Sequence, residues 1–284
     1  MRQIALGILV TVMFAASASA QQLVLPARHD ALAGVKFSTA ALADQATPAA
    51  APAPPPPSKK VTVTLGADAP SAYYFRGYRQ ESDPGFTFQP FVDVGVAGEH
   101  ATVNFGAWNS FHTGTLKDAG AGYYETDLYA SVTVGMVKAL YTAYTYPKID
   151  NSAIHELMLS TTFNDSESAF PLAPSVGIAF ELDKSSGLDK GIYLELGVTP
   201  AVPMGDDAPV TISIPVKLGF SVKDYYGGDK LGYLSVGALI GVPVNDNFEV
   251  HGGVTGYSFP GDFMRAYNGE KGSFVGTVGF TVKF

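Results

Sequence analysis

The sequence predicts an all-β protein: a closed antiparallel transmembrane β-barrel of about twelve strands, preceded by a signal peptide and a Pro/Ala-rich disordered spacer. Two observations predict it. From Lys59 to the end, apolar residues recur with period two, and no helical period interrupts them. Only 15% of the residues are charged, while the chain carries 31 glycines. A water-soluble sandwich would place its apolar faces inward and charged residues outward. Here the polar faces carry Gly, Ser and Thr, as expected of a barrel with apolar residues on lipid and polar residues lining a lumen.

Residues 1–20, "MRQIALGILVTVMFAASASA", place Arg2 before an apolar run and small residues Ala18 and Ala20 at its end, so a signal peptide cleaved after Ala20 is expected. The run is short of the ~20 apolar residues that a membrane helix needs. Residues 21–58 contain "ATPAAAPAPPPPSKK" from Ala46 onward. Proline at that density without a period cannot build a packed core, and the segment is expected to be a periplasmic spacer.

The barrel is expected over residues 59–284. In "VTISIPVKLGFSV" the even positions run Val210, Ile212, Ile214, Val216, Leu218, Phe220 and Val222, whereas the odd ones include Thr211, Ser213, Lys217, Gly219 and Ser221. One face of such a strand is uniformly apolar. Similar segments fall near 60–79, 86–97, 101–112, 123–137, 139–147, 154–164, 174–183, 191–202, 210–224, 231–243, 248–258 and 273–284. An even count puts both ends of the barrel on the periplasmic side, with longer loops outside. The long "NDSESAFPLAP" is an exception, falling on the periplasmic side.

The same parity directs Asp68, Gln89, Asp93, Asn104, Trp108, Ser110, Glu125, Asp127, Tyr129, Glu156, Glu181, Asp183, Glu195, Lys217, Glu249, His251 and Lys283 into the lumen. In the first strand, Tyr74, Arg76 and Tyr78 share the inward face. Arg79 has the opposite parity and is expected beyond the hydrocarbon, at headgroups or water. Arg76, Gln80, Trp108, Glu125, Asp127, Tyr144, Tyr146 and Glu156 all lie toward the external ends of their strands. This inward set holds nine carboxylates against three cations, Arg76, Lys217 and Lys283. That excess attracts cations and repels anions, so a small polar or cationic solute is the expected partner. Two readings of the lumen follow: a narrow, weakly cation-preferring channel, or a structural barrel blocked by its own side chains, with Arg76 neutralising Glu125, Asp127 or Glu156.

The absence of cysteine excludes disulfides, thiolate metal sites and cysteine nucleophiles. The net charge of −8, with no basic cluster, argues against nucleic acid. Of five histidines (His29, His100, His112, His155 and His251), none sits in a recognisable catalytic motif, and no enzyme, metal or cofactor is expected.

The segments "YYFRGYRQ", "QPFVDVG", "FGAWNS", "GYYETDLYASV", "AYTYP" and "IHEL" resemble the Gcw_chp or TorF-like family of bacterial outer-membrane barrels. The likeness is carried by Tyr73, Phe75, Arg76, Gly77, Gln80, Gln89, Pro90, Gly106, Trp108, Glu125, Asp127, Tyr129, Tyr144, Tyr146, Pro147, Glu156 and Leu157. It covers roughly residues 66–165 and implies an outer-membrane location, with channel activity the usual supposition. The terminal "GFTVKF" is similar to the closing strand of such barrels, which implies contact with the barrel assembly machinery through Phe284, as well as with outer-membrane lipids.

Overall fold

Alternation of this length yields strands whose unpaired edges must be closed before they can sit in lipid. The computed structural model describes residues 61–81, 85–112, 123–146, 150–168, 170–183, 190–202 and 210–284. The expected signal peptide and spacer lie outside them. The elements are β1 (Val61–Pro70), β2 (Tyr74–Phe75), β3 (Tyr78–Arg79), β4 (Thr87–Ala97), β5 (Thr102–His112), β6 (Tyr123–Val134), β7 (Val137–Tyr146), β8 (Asp150–Thr162) and β9 (Ser175–Glu181). They continue with β10 (Ile192–Val198), β11 (Ala201–Val202), β12 (Thr211–Ser213), β13 (Val216–Lys223), β14 (Leu231–Pro243), β15 (Phe248–Ser258), helix α1 (Asp262–Asn268) and β16 (Gly272–Lys283).

Twelve of these strands form one antiparallel ring, β1-β4-β5-β6-β7-β8-β9-β10-β13-β14-β15-β16. First and last close it, with Asp68 opposite Gly279. The short β11 and β12 pair with each other, and β12 also pairs with β14 at the near end, where β1 starts and β16 finishes.

Parity decides which side each residue meets. Phe274 is 81% exposed, Val278 65%, Leu128 51% and Val254 46%, all on the outside. Residues of the opposite parity, such as Ser235, Ser131, Thr142 and Ser110, are buried. Exposed to water, that apolar band would cost about 25 cal/mol per Å²; against acyl chains it costs nothing. A closed ring with this polarity is a transmembrane β-barrel located in the outer membrane.

Two expectations are corrected. The first strand does not run to residue 79. It stops at Pro70, which has no N–H with which to continue the ladder. Residues 74–79 instead form a separate hairpin, with Tyr74 opposite Arg79 and Phe75 opposite Tyr78. Its turn residues, Arg76 and Gly77, have φ of 44° and 81°. This is the signature of the two-residue type I′ turn. Gly77 is required there: a Cβ would lie 2.9 Å from Tyr233 Cβ. Period two persists through such a hairpin, so alternation alone reads it as more strand.

The second correction is α1, in the connection expected to be a plain loop. It ends at Gly269, whose φ of 72° is the left-handed cap that terminates helices.

At the near end, the long 163–174 connection is organised by Asp165. Its carboxylate accepts the Leu172 and Ala173 N–H groups at 2.7 and 2.9 Å. These bonds hold its pKa below the usual aspartate range.

Candidate functional site

The far end of the lumen is filled by strand connections rather than by the strands themselves. The β2–β3 hairpin folds into the interior, and its segment touches walls four strands apart in the ring. Tyr73 packs on Trp108 of β5, with ring centres 5.6 Å apart. Tyr74 stacks on Tyr257 of β15 at 5.1 Å, and its hydroxyl donates to Glu270. From the β13–β14 connection, Tyr225 and Tyr226 descend onto the hairpin. Tyr78 donates to the Tyr225 carbonyl, and Tyr226 donates to the Arg76 carbonyl at 2.9 Å. From α1, Tyr267 meets the Tyr78 ring edge-to-face at 4.9 Å, and Asn268 binds the Gly77 carbonyl and the Arg79 amide.

At the centre of this plug is Arg76. Its Nη1 donates to Glu156 Oε2 at 2.8 Å and its Nη2 to Glu156 Oε1 at 2.9 Å. Nη1 also reaches the Tyr225 hydroxyl at 3.2 Å and Nη2 the Met158 Sδ at 3.7 Å. The guanidinium lies 4.2 Å from the Tyr193 ring centre and 4.7 Å from that of Phe75. Arg76 is 1% exposed and Glu156 2%. Two buried charges of this kind are tolerable only as a well-formed bidentate pair, and losing either partner costs about 3–5 kcal/mol. Of the three carboxylates open to Arg76 on parity, the fold selects Glu156.

The wall of this site is braced independently of the hairpin. Tyr193 donates to Glu195 Oε2 at 2.7 Å, Tyr233 donates to the same oxygen at 3.1 Å, and Lys217 lies 3.5 Å from Glu195 Oε1. Tyr144 donates to Glu156 Oε1 at 3.4 Å.

The other expected lumen residues separate into smaller groups. Glu125 accepts from Tyr146 at 3.0 Å. Asp127, one step along the same face, is 1% exposed, and neither of its oxygens has a hydrogen-bond donor among the described residues. Gln89 donates to Ser110 at 3.4 Å. Asp93 binds Asn104 at 2.7 Å and Tyr129 at 3.0 Å. Gln80 donates its backbone N–H to Tyr73 and its side chain to Tyr78. Asp68 pairs with His251 at 2.7 Å across Gly279, where any Cβ would strike both.

Three placements differ from expectation. Asp183 does not enter the lumen: it accepts the backbone N–H of outward-facing His155 at 2.9 Å, and His155 in turn binds Tyr141 on the outer surface at 2.6 Å. Arg79 does not reach headgroups, because the hairpin carrying it is folded inward, where its N–H is bound by Asn268. Lys138, omitted from the inward set, shares the inward parity of Leu140 and Thr142. The strands thus present Asp68, Asp93, Glu125, Asp127, Glu156, Glu181, Glu195 and Glu249 inward beside Lys138, Lys217 and Lys283, and the inward-folded segment adds Arg76, Arg79 and the buried Glu81, so carboxylates outnumber cations among these described residues. Ser110 and His112 lie 2.9 Å apart and are buried beneath Tyr73, at 0% and 4% exposed.

Sequence reasoning missed Tyr193, Tyr225, Tyr226, Tyr233 and Asn268. The adjacent tyrosines of "DYYGGDK" were the available signal, since large aromatics are out of place in a solvated turn.

The fold and lumen define the class: an outer-membrane β-barrel with a plugged interior. No protein-family model and no curated protein sequence matches the chain. Among solved structures it is similar to an outer membrane channel from Pseudomonas putida F1, with 11% identity over 79% of this chain and 96% of that one and a TM-score of 0.47. It is also similar to the KdgM porin (9% identity, 78% and 99% covered, TM-score 0.43) and the NanC porin (8%, 79% and 100%, TM-score 0.42).

Proposed function

We propose that the protein is a cation-preferring channel for small solutes, closed in this conformation by a plug that can withdraw toward the outside of the cell. The observation that carries the reading is the origin of the obstruction. The groups sealing the far end belong largely to residues 71–81, 224–230 and 259–271, all within connections between strands of the ring. Toward the near end the inner wall is lined by Ser160, Ser175, Gly197 and Lys217, which are half-buried, and Thr162 and Lys138, which are exposed. Connections can move without breaking the ring, whereas strands cannot. The excess of lumen carboxylates supports a preference for cations.

A second reading, a structural barrel with a permanently blocked lumen, is favoured by the nearly complete burial of the Arg76–Glu156 pair. Planar-bilayer recording separates them. Replacing residues 72–80 with a short Gly/Ser linker should turn rare openings of the parent protein into sustained, cation-selective conductance. Silence from the correctly folded variant would establish the blocked barrel instead.

A further inference from the structure

We infer that the barrel wall around Glu156 and Tyr193 is a receptor for guanidinium- or amine-bearing solutes, which Arg76 occupies as a tethered stand-in. The inference rests on the proposed solute path and names the class of solute that path would admit.

The site has the parts that guanidinium recognition needs. Glu156 supplies a bidentate carboxylate, with contacts of 2.8 and 2.9 Å. Tyr193 supplies an aromatic face 4.2 Å from the cation; Tyr225, which adds a phenolic oxygen at 3.2 Å, belongs to the β13–β14 connection of the plug and not to the wall. A planar fork bound in its plane by a carboxylate and stacked on an aromatic ring is the geometry that distinguishes guanidinium from a simple ion.

The receptor and its present occupant also come from different parts of the chain. Glu156 and Tyr193 sit on β8 and β10, and Tyr193 is fixed by Glu195 and Tyr233. These bonds do not involve the hairpin, so the pocket is preorganised without it. Arg76 arrives on a connection that could leave.

The occupant is held at a local disadvantage. Arg76 has φ of 44° at the first central position of a type I′ turn, where glycine, asparagine or aspartate is the comfortable residue. Hairpin formation alone does not favour arginine there, and the pocket supplies the compensating interaction. A tethered group acts at an effective concentration in the millimolar range. A free solute therefore displaces it only at comparable concentration or with additional contacts.

The test uses the full-length protein in detergent and in planar bilayers, with methylguanidinium chloride as probe and sodium chloride at equal ionic strength as control. Arg76→Ala should bind methylguanidinium by calorimetry at millimolar concentration, and its conductance should fall as the probe fills the site. The parent protein should bind at least about tenfold more weakly, because its own arginine competes. The double variant Arg76→Ala/Glu156→Gln should lose binding about tenfold or more relative to Arg76→Ala. Arg76→Lys, which keeps a cation but not the fork, should fall between the parent and Arg76→Ala, and it decides the matter if the alanine variant fails to fold. A folded Arg76 variant that ignores methylguanidinium, or that binds it equally well once the Glu156→Gln change is added, overturns the inference. Binding without conductance in any variant would refute the channel and leave the receptor standing.

Discussion

Asn268, the last residue of α1, donates from its side-chain amide to the Gly77 carbonyl at 2.9 Å and accepts the Arg79 N–H at the same distance. One buried side chain thus ties together two connections 191 positions apart along the chain. It satisfies the carbonyl of the turn residue Gly77 and the N–H of Arg79 two residues on, along the β3 arm of the hairpin, as a third strand would.

Replacing Asn268 with alanine leaves the carbonyl and the amide buried without partners, at a cost of about 1–3 kcal/mol. The plug should open roughly tenfold more often. Hydrogen exchange at the Arg79 amide reads this directly, and unchanged protection there would show that Asn268 is no latch.

Gly77→Ala adds a methyl group at φ of 81° and 2.9 Å from Tyr233, whereas Gly135→Ala meets φ of 58° with nothing within 4 Å. Both pay the left-handed penalty of about 1–2 kcal/mol. Only the first also forces the hairpin away from β14. Urea unfolding should therefore rank Gly77→Ala as clearly the more damaging, and equal effects would contradict the inward position of the turn.

Val254 faces outward at 46% exposed and its neighbour Thr255 faces the lumen. An arginine at 254 should destabilise the barrel in vesicles by about 2–4 kcal/mol near the midplane. An arginine at 255 can reach water and carboxylates and should cost much less. The opposite ranking would reverse the assignment of faces.

The Asp165 carboxylate is held below its usual pKa by the Leu172 and Ala173 N–H groups. A depressed folded pKa means that the contribution is intact above the unfolded value of about 3.9 and is lost as pH falls through the lower, folded value. Protection of those two amides, corrected for intrinsic exchange, should be flat from neutral pH to about 5 and fall only below about 4. Asp165→Asn should remove the dependence.

The barrel itself was legible. Segments such as 248–258 and 273–284 show unbroken alternation because lipid on one side and water on the other impose opposite chemistry on successive residues. The inward carboxylates Glu125, Asp127 and Glu156 were legible for the same reason, since each lies on a strand whose face is set by parity. Asp183 was misplaced because it falls beyond the end of β9, where parity no longer constrains direction. Tyr225 and Asn268 were invisible because the connections carrying them have no period to read.

From sequence alone, then, come the strands, their faces, the closed all-β class and the acidic bias of the interior, because each follows from a local period of two set by the two solvents. Tertiary structure alone decided that "YYFRGYRQ" turns inward at Arg76–Gly77, and that its arginine chooses Glu156 over Glu125 and Asp127. That choice depends on which walls the folded connections can reach and on a buried charge accepting only a partner that satisfies its fork. Neither is a property of neighbouring residues.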